Sequence, residues 1–388
     1  MGLSPGLCVY RTPLGSFWDC LMVEDAEKSR ITRCRRYALT TPKALNPVQG
    51  GFVKPDDMLG WGMLIQSTIG SHRIKISWGL MLVLVQCFGV PLLYAKVPVK
   101  LALIPEHPRP GEPVTVGMTA GTLEEKENGL FQAVLINTQG QGLTKASFFN
   151  LPIHTDGTSL KAAILTVPCT ARPGPAWIHV EYAGRSIGKI ELTIETRAFV
   201  SEEIPLDEAN TALRTVQDPQ KTAEAVVLWG ILNRTGTAVY TSGPFTAPVT
   251  STRRTSFFGD RRVFMYVDGS RSTSIHGGID YGVPRGTEVR SCAAGKVVLA
   301  RSRIVTGNSV IIEHLPGVYS LYYHLDHIAV PEGALVSSGT VLGQSGATGL
   351  ATGPHLHWEI RVAGENTDPD AFVSRPVLDT NALLSKIR

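Results

Sequence analysis

The chain has 388 residues, a formal net charge of +4 and 43% hydrophobic residues, an ordinary globular composition that excludes wholesale disorder. Its length suffices for two or three domains. The mild positive charge comes without a basic stripe interleaved with aromatic residues, so nucleic acid is not expected as a partner. None of the six cysteines forms a CxxC pair, which argues against a disulfide framework and a thiolate zinc site.

An uncharged apolar segment, residues 76–95, follows a short basic flank. Its length could span a bilayer, and its layout is also that of a secretory signal peptide, so residues 63–95 are predicted to be a signal peptide or a membrane anchor. In both cases the chain that follows is expected to be exported, because the positive flank stays inside. Signal peptides lie at chain starts. Residues 1–62 are therefore interpreted as a non-native extension, with translation beginning near Met63, or as a cytoplasmic tail.

The remaining chain divides by its hydrophobic pattern. Residues 96–199 alternate like strands between turn signals, which predicts an immunoglobulin-like β-sandwich. Residues 200–235 fit helical spacing, with a break before Pro219, and predict a helical connector. Residues 236–375 are predicted to be a last domain, in which residues 260–373 return to short strands with glycine-rich turns, and 376–388 are interpreted as a tail. The expected fold class is mainly β, with a sandwich and a β-rich domain joined by helices.

Two histidines one residue apart, His355 and His357, lie in the β-prone run GPHLHWEI. Side chains of a strand alternate between its faces, so both imidazoles should point the same way, about 7 Å apart at Cα. Two buried imidazoles without partners would be costly. A single strand histidine is usually structural, and the pair alone leaves both a structural and a functional interpretation open.

The run SIHGGIDYG places His276 and Asp280 four residues apart. Two adjacent glycines argue against a helix, whereas on a strand positions i and i+4 share a face and the glycines allow another segment to approach closely. His276, Asp280 and the pair at 355 and 357 can therefore converge. Two imidazoles and one carboxylate are a common ligand set of catalytic zinc, with a fourth position left for water.

The motifs HGGID, YYHL and TGPHLHWE, in that order, resemble the zinc metallopeptidases of the lysostaphin/LytM type. These are β-rich endopeptidases that cut peptide bonds in bacterial peptidoglycan, and the resemblance covers roughly residues 259–373. It implies a peptidase that acts on peptidoglycan stem peptides in the periplasm, with Zn²⁺ as cofactor and zinc-bound water as nucleophile. It also implies five site residues: the zinc ligands His276, Asp280 and His357, and the catalytic histidines His324 and His355.

Three further polar residues lie in the same region. Asn308 in TGNSV is a candidate for orienting substrate, and equally a turn asparagine beside Gly307. His314 and His327 are expected at the surface or beside the site. An alternative function is that of an envelope protein that regulates wall hydrolases or binds peptidoglycan with little catalysis of its own. The five site residues are all present, which favours the enzyme.

Overall fold

The computed structural model describes residues 68–69, 72–73, 99–120, 131–155 and 158–387, and the chain divides into two units, Met1–Gly89 and Val90–Arg388. The extension predicted at 1–62 lies outside the described residues. So does the signal peptide or anchor predicted at 63–95, apart from an antiparallel pair of two-residue strands, β1 (Thr68–Ile69) and β2 (His72–Arg73). Among the described residues, no helix combines the length and apolar composition that crossing a bilayer requires.

The second unit begins with eight strands: β3 (Val99–Ile104), β4 (Pro113–Ala120), β5 (Phe131–Asn137), β6 (Gly142–Ser147), β7 (Phe149–Thr155), β8 (Thr158–Thr166), β9 (Gly174–Tyr182) and β10 (Arg185–Ile194). They form two antiparallel sheets, in the orders β3-β4-β8-β7 and β10-β9-β5-β6. Apolar residues of both sheets meet in one core, among them Met118 of β4, Leu135 of β5 and Ile178 of β9. The alternation of the sequence thus turns one face of each sheet toward this core, and the sheet β3-β4-β8-β7 also buries residues of its other face, among them Leu160 and Ala162.

The segment predicted as a helical connector begins with a strand, β11 (Ser201–Pro205), which pairs in parallel with β13 (Arg261–Met265). Helices α1 (Glu208–Thr215) and α2 (Pro219–Leu232) follow. Pro219 opens α2 after the N-cap Asp218, whose carboxylate accepts from the backbone N–H of Gln220 at 2.7 Å. Five residues with alternating exposure are too few to stand out beside the helical pattern, which explains why β11 was not predicted.

The rest of the unit is built on a ten-stranded sheet. Its strands are β12 (Arg254–Ser256), β15 (Gly278–Tyr281), β16 (Glu288–Arg290), β17 (Gly295–Arg303), β18 (Gly307–Leu315), β19 (Val318–Ile328), β20 (Leu335–Val336), β21 (Val341–Ser345), β22 (Leu356–Val362) and β23 (Glu365–Thr367). Outside this sheet, β14 (Arg271–Ile275) forms a hairpin with β13, and helix α3 (Pro369–Ser374) follows β23. The sheet order is β12-β15-β22-β19-β18-β17-β20. The central strand β22 buries Leu356, Trp358 and Ile360 completely on one face, and its other face carries the polar residues of the site.

Residues 376–388 were predicted as a tail, but Thr380–Ile387 form a helix, α4. Its Leu383 and Ile387 are buried against the outer face of β3 and β4, where Gly117 leaves room for the Leu383 side chain. This contact joins the helix α4 to the sheet β3-β4-β8-β7. A window of eight residues holds too little periodicity to reveal such a distant packing partner.

Candidate active site

Three side chains converge on one face of the large sheet. Nε2 of His276 lies 3.1 Å from Oδ1 of Asp280 and 2.9 Å from Nδ1 of His357, and Nδ1 of His357 lies 2.6 Å from the same Oδ1. All three residues are buried. Two imidazole nitrogens and one carboxylate oxygen thus meet around a single point, the arrangement expected of residues that hold a cation.

The donor set fits zinc. Two imidazoles and one carboxylate are the protein ligands of many catalytic zinc sites. Zn–N and Zn–O bonds of about 2.0–2.2 Å would place the ligand atoms about 3.3 Å apart. The three distances of 3.1, 2.9 and 2.6 Å would therefore open by about 0.2–0.7 Å to admit the ion. Residues His276, Asp280 and His357 are therefore the ones that would hold the ion.

Neighbouring strands supply two of these side chains. In the pairing of β15 with β22, Asp280 lies directly opposite His357, so both point to the same face. Gly278 permits this pairing, since a Cβ there would collide with the backbone carbonyl of Trp358. His276 differs from the prediction: it lies between β14 and β15 and does not share a strand with Asp280. The chain bends at the glycines and brings its ring back over the carboxylate.

Second partners orient the two imidazoles. Nδ1–H of His276 donates to the carbonyl oxygen of Phe257 at 2.8 Å, which leaves Nε2 as the ligand atom. Nε2–H of His357 donates to Oε1 of Glu359 at 2.9 Å, which leaves Nδ1 toward the centre. The other oxygen of Glu359 accepts from Nε of Arg361 at 2.9 Å. Each ring is thus held in an orientation that directs one nitrogen to the site, Nε2 of His276 and Nδ1 of His357.

The carboxylates set the protonation of the triad. Burial by itself lowers the pKa of His357, but Asp280 and Glu359 on either side outweigh it and raise the pKa to about 9. Burial raises the pKa of Asp280, while the imidazoles of His357 and His276 hold that pKa well below its usual range. A cation entering the site therefore displaces a proton from His357.

His324 lies where β19 changes its partner. Tyr323 pairs with His357 of β22, and from Leu325 onward the strand pairs with β21. Between them His324 has a left-handed backbone, with φ of 61°. In a regular strand the side chains at 323 and 324 would point to opposite faces. The local turn brings both to the face of the site, where the ring of Tyr323 stacks on that of His357.

His324 and His355 form a second imidazole pair, with ring centroids 4.8 Å apart. Nδ1–H of His324 donates to the carbonyl oxygen of Thr348 at 2.7 Å. In the same way, Nδ1–H of His355 donates to the carbonyl oxygen of Gly353 at 2.8 Å. A carbonyl only accepts, so Nε2 of each ring is left as an acceptor. Burial lowers the pKa of both rings, that of His324 to about 3, and keeps them neutral at pH 7. Nε2 of His355 lies 3.9 Å from Oδ1 of Asp280, at the edge of the triad.

An arginine from outside the motifs holds the second oxygen of Asp280. Nη2 of Arg262 donates to Oδ2, and its Nε donates to Oε1 of Glu202 at 3.2 Å. Glu202 belongs to β11, and Ser256 donates to the same carboxylate oxygen. Because Oδ2 is occupied in this way, Oδ1 is the oxygen of Asp280 that faces the imidazoles.

The other polar candidates lie away from the triad. The amide of Asn308, at the start of β18, donates to the carbonyl oxygen of Asp326 in the neighbouring strand β19 at 3.1 Å. His327 is exposed, as expected. His314 was expected at the surface or beside the site, but it is completely buried, with Nδ1–H donating to Ala294 and Nε2 accepting from Ser320. Its strand, β18, is covered on both faces.

Two residues of the site were missed by the sequence reasoning. Glu359 follows His355 and His357 in the same alternation, so the strand pattern placed it on their face and could have identified it. Arg262 carries no comparable signal. It reaches Asp280 only because the hairpin β13–β14 folds beside β15, a contact between segments 18 residues apart.

Known proteins resemble this part of the chain. The sequence profile of Peptidase family M23 matches residues 274–369. DD-carboxypeptidase/endopeptidase Mpg of Neisseria meningitidis serogroup B is 44% identical over 95 residues, 24% of this chain and 22% of that protein. Peptidoglycan DD-endopeptidase ShyB of Vibrio cholerae is 42% identical over 93 residues, again 24% and 22%. The match thus spans about a fifth of the length of these curated relatives.

A solved structure described as a zinc containing peptidase from Vibrio cholerae has a TM-score of 0.32 and 20% identity, and the match covers 66% of this chain and 80% of that one. The family match includes the segments that carry the triad and both further histidines. The resemblance expected from the three motifs is confirmed. The chain therefore carries, at residues 274–369, a domain of peptidase family M23.

Proposed function

We propose that the protein is an exported zinc metalloendopeptidase that hydrolyses peptide cross-links of bacterial peptidoglycan. The observation that carries the proposal is the convergence of His276, Asp280 and His357 beside a second pair of neutral imidazoles. Its relatives support the substrate, since several are named peptidoglycan DD-endopeptidases.

The triad and the pair of His324 and His355 have different roles in this proposal. His276, Asp280 and His357 hold zinc, which supplies a Lewis acid and makes water nucleophilic at neutral pH. His355 and His324 each keep Nε2 without a proton, and Nε2 of His355 lies 3.9 Å from Oδ1 of Asp280. A neutral imidazole can accept the proton of the attacking water, pass it to the departing amine, or, once protonated, donate to the oxyanion.

The architecture around this domain supports an envelope protein. We infer that residues 96–199 are an immunoglobulin-like sandwich, because the sheet orders β3-β4-β8-β7 and β10-β9-β5-β6 correspond to the ABED and GFC orders of that fold, with β6 as an added edge strand. Residues 200–235 would serve as its connector to the peptidase. Residues 63–95 would direct export to the periplasm or anchor the chain in the inner membrane.

The test uses the purified chain, its zinc content and its action on sacculi. We expect about one zinc per chain and release of cross-link fragments identified by mass spectrometry. His276→Ala should lose both zinc and activity, because a two-ligand site does not hold zinc tightly. His324→Ala should keep zinc and lose about 10²–10⁴-fold in rate.

A matched control lies on the same strand. His327→Ala removes an exposed imidazole three residues beyond His324 and should change neither zinc content nor rate. Full zinc occupancy in His276→Ala would contradict the ligand assignment. A zinc-loaded wild-type protein that releases no fragments would instead favour the alternative of a regulatory or binding protein.

A further inference from the structure

A groove of about 470 Å³ opens beside the triad. Its walls come from four segments, around residues 202–205, 253–256, 280–282 and 352–355, and from the side chain of Arg262. Both Asp280 and His355 line it. A peptide whose scissile bond lies at the triad therefore extends along this groove, and the side chains of its walls contact the residues that flank that bond.

Arg253 differs from the other charged side chains of the groove in its lack of an ion-pair partner among the described residues. The others are engaged in ion pairs: Glu202 and Asp280 share Arg262, and Glu203 pairs with Arg271. Among the described residues, no carboxylate lies within ion-pair distance of Arg253. Its Nη1 donates to the carbonyl oxygen of Gly282 at 3.2 Å, and its side chain is exposed to the groove.

Backbone pairing and the space at Gly282 fix the position of this guanidinium. Arg253 precedes β12, which runs antiparallel to β15, and its carbonyl oxygen accepts from the backbone N–H of Gly282 at 3.1 Å. Its neighbour Arg254 turns the other way, into a two-bond ion pair with Asp370. A Cβ at position 282 would collide with the Arg253 guanidinium, so the glycine leaves the space that the guanidinium fills.

The position of the Arg253 guanidinium at Gly282 is close to the triad of His276, Asp280 and His357. Gly282 is two residues beyond Asp280, which along an extended chain is about 7 Å. An extended substrate rises about 3.3 Å per residue, so a group bound at Arg253 sits one to two residues from the scissile bond.

We propose that Arg253 is a subsite for a carboxylate of the peptide substrate. The inference rests on the proposed function and adds the chemical class that the groove recognises. A guanidinium binds a carboxylate through two parallel hydrogen bonds, and within the described part of the chain no carboxylate pairs with the Nη2 and Nε groups of Arg253. The carboxylate has two sources in a peptide stem: the free C-terminus of an uncross-linked chain, or the carboxylate of the diamino acid at a cross-link.

The test compares substrates that differ only in that charge. Synthetic stem peptides are prepared with a free C-terminal carboxylate, with a C-terminal amide, and as cross-linked dimers whose diamino-acid carboxylate is free or amidated. Hydrolysis by the zinc-loaded chain is measured for wild type, Arg253→Gln and Arg253→Lys. Arg290→Gln is the matched control, since it removes an exposed arginine paired with Glu288 outside the groove.

We expect Arg253→Gln to lower kcat/KM about 10- to 100-fold on peptides of the recognised acid class, through KM, and to leave the matching amides unchanged. Arg253→Lys should recover part of the loss, and zinc content should be equal in all variants. The pair of peptides that shows the difference identifies the source of the carboxylate.

Equal rates of wild type and Arg253→Gln on every acid peptide would overturn the inference, as would equal losses on acids and amides. Calorimetry with the same peptides separates this from the proposed function. If wild type cuts nothing, the proposed function fails, and binding that favours acids in wild type but not in Arg253→Gln still supports the subsite. Binding indifferent to the carboxylate overturns it.

Discussion

Replacing Glu359 by glutamine should weaken zinc binding although none of the proposed zinc ligands is replaced. Glu359 is 7% exposed, and its carboxylate accepts from Nε2–H of His357 and Nε of Arg361, each at 2.9 Å, and from the amide of Asn366 at 3.4 Å. Burial raises the pKa of Glu359, but Arg361 and His357 hold that pKa well below its usual range, so the group is ionised. Glutamine keeps the shape and loses the charge.

The magnitude follows from these contacts. A glutamine has one accepting oxygen, so either His357 or Arg361 then faces an NH₂ group that cannot accept. Partners of metal-bound histidines typically contribute 10- to 100-fold to metal affinity, about 1.4–2.7 kcal/mol. Because glutamine loses the charge that holds His357 and also leaves one of the two sides without an acceptor, we expect a loss of about 100-fold in zinc affinity.

The assay is competition for zinc against a chelator of known affinity, with circular dichroism to verify folding. Glu332→Gln serves as control, because Glu332 pairs with Arg301 at the exposed surface and has no contact with the triad. A folded Glu359→Gln variant whose zinc affinity stays within about twofold of wild type would refute the role assigned to this carboxylate.

Two further predictions concern stability. Burial lowers the pKa of His314 to about 4, so between pH 6.5 and 4 the unfolded chain binds a proton that the folded chain does not, and the free energy of unfolding should fall by up to about 3 kcal/mol as the pH drops through this range. Urea titrations at pH 7 and 4.5 should show a smaller fall in His314→Asn, and an equal fall in both proteins would contradict the assignment. Leu383→Ala should lower the free energy of unfolding by about 2–5 kcal/mol, since it empties the contact between α4 and β4. Leu335→Ala, at a side chain 72% exposed, should change it by less than about 0.5 kcal/mol, and similar effects of the two changes would show that α4 does not stabilise the fold.

Strand alternation made much of the fold and site predictable. The polar face of β22 was readable from HLHWEIRV, because a period of two leaves only one way to bury Leu356, Trp358 and Ile360. The triad of His276, Asp280 and His357 also comes together as the motifs indicated. The strand β11 and the helix α4 were not predictable, since both are short and take their shape from partners more than 50 residues away.

The sequence by itself determined the β-rich class, the family of the C-terminal domain and the five residues at its centre, because these depend on local alternation and on motifs whose chemistry is in the side chains. Only the tertiary structure decided which further groups act on them. Arg262 on Asp280, the left-handed turn at His324 and the position of the Arg253 guanidinium at Gly282 arise where strands meet across the sheet. Such contacts join residues by register and backbone conformation, and neither is visible in the order of the amino acids along one segment.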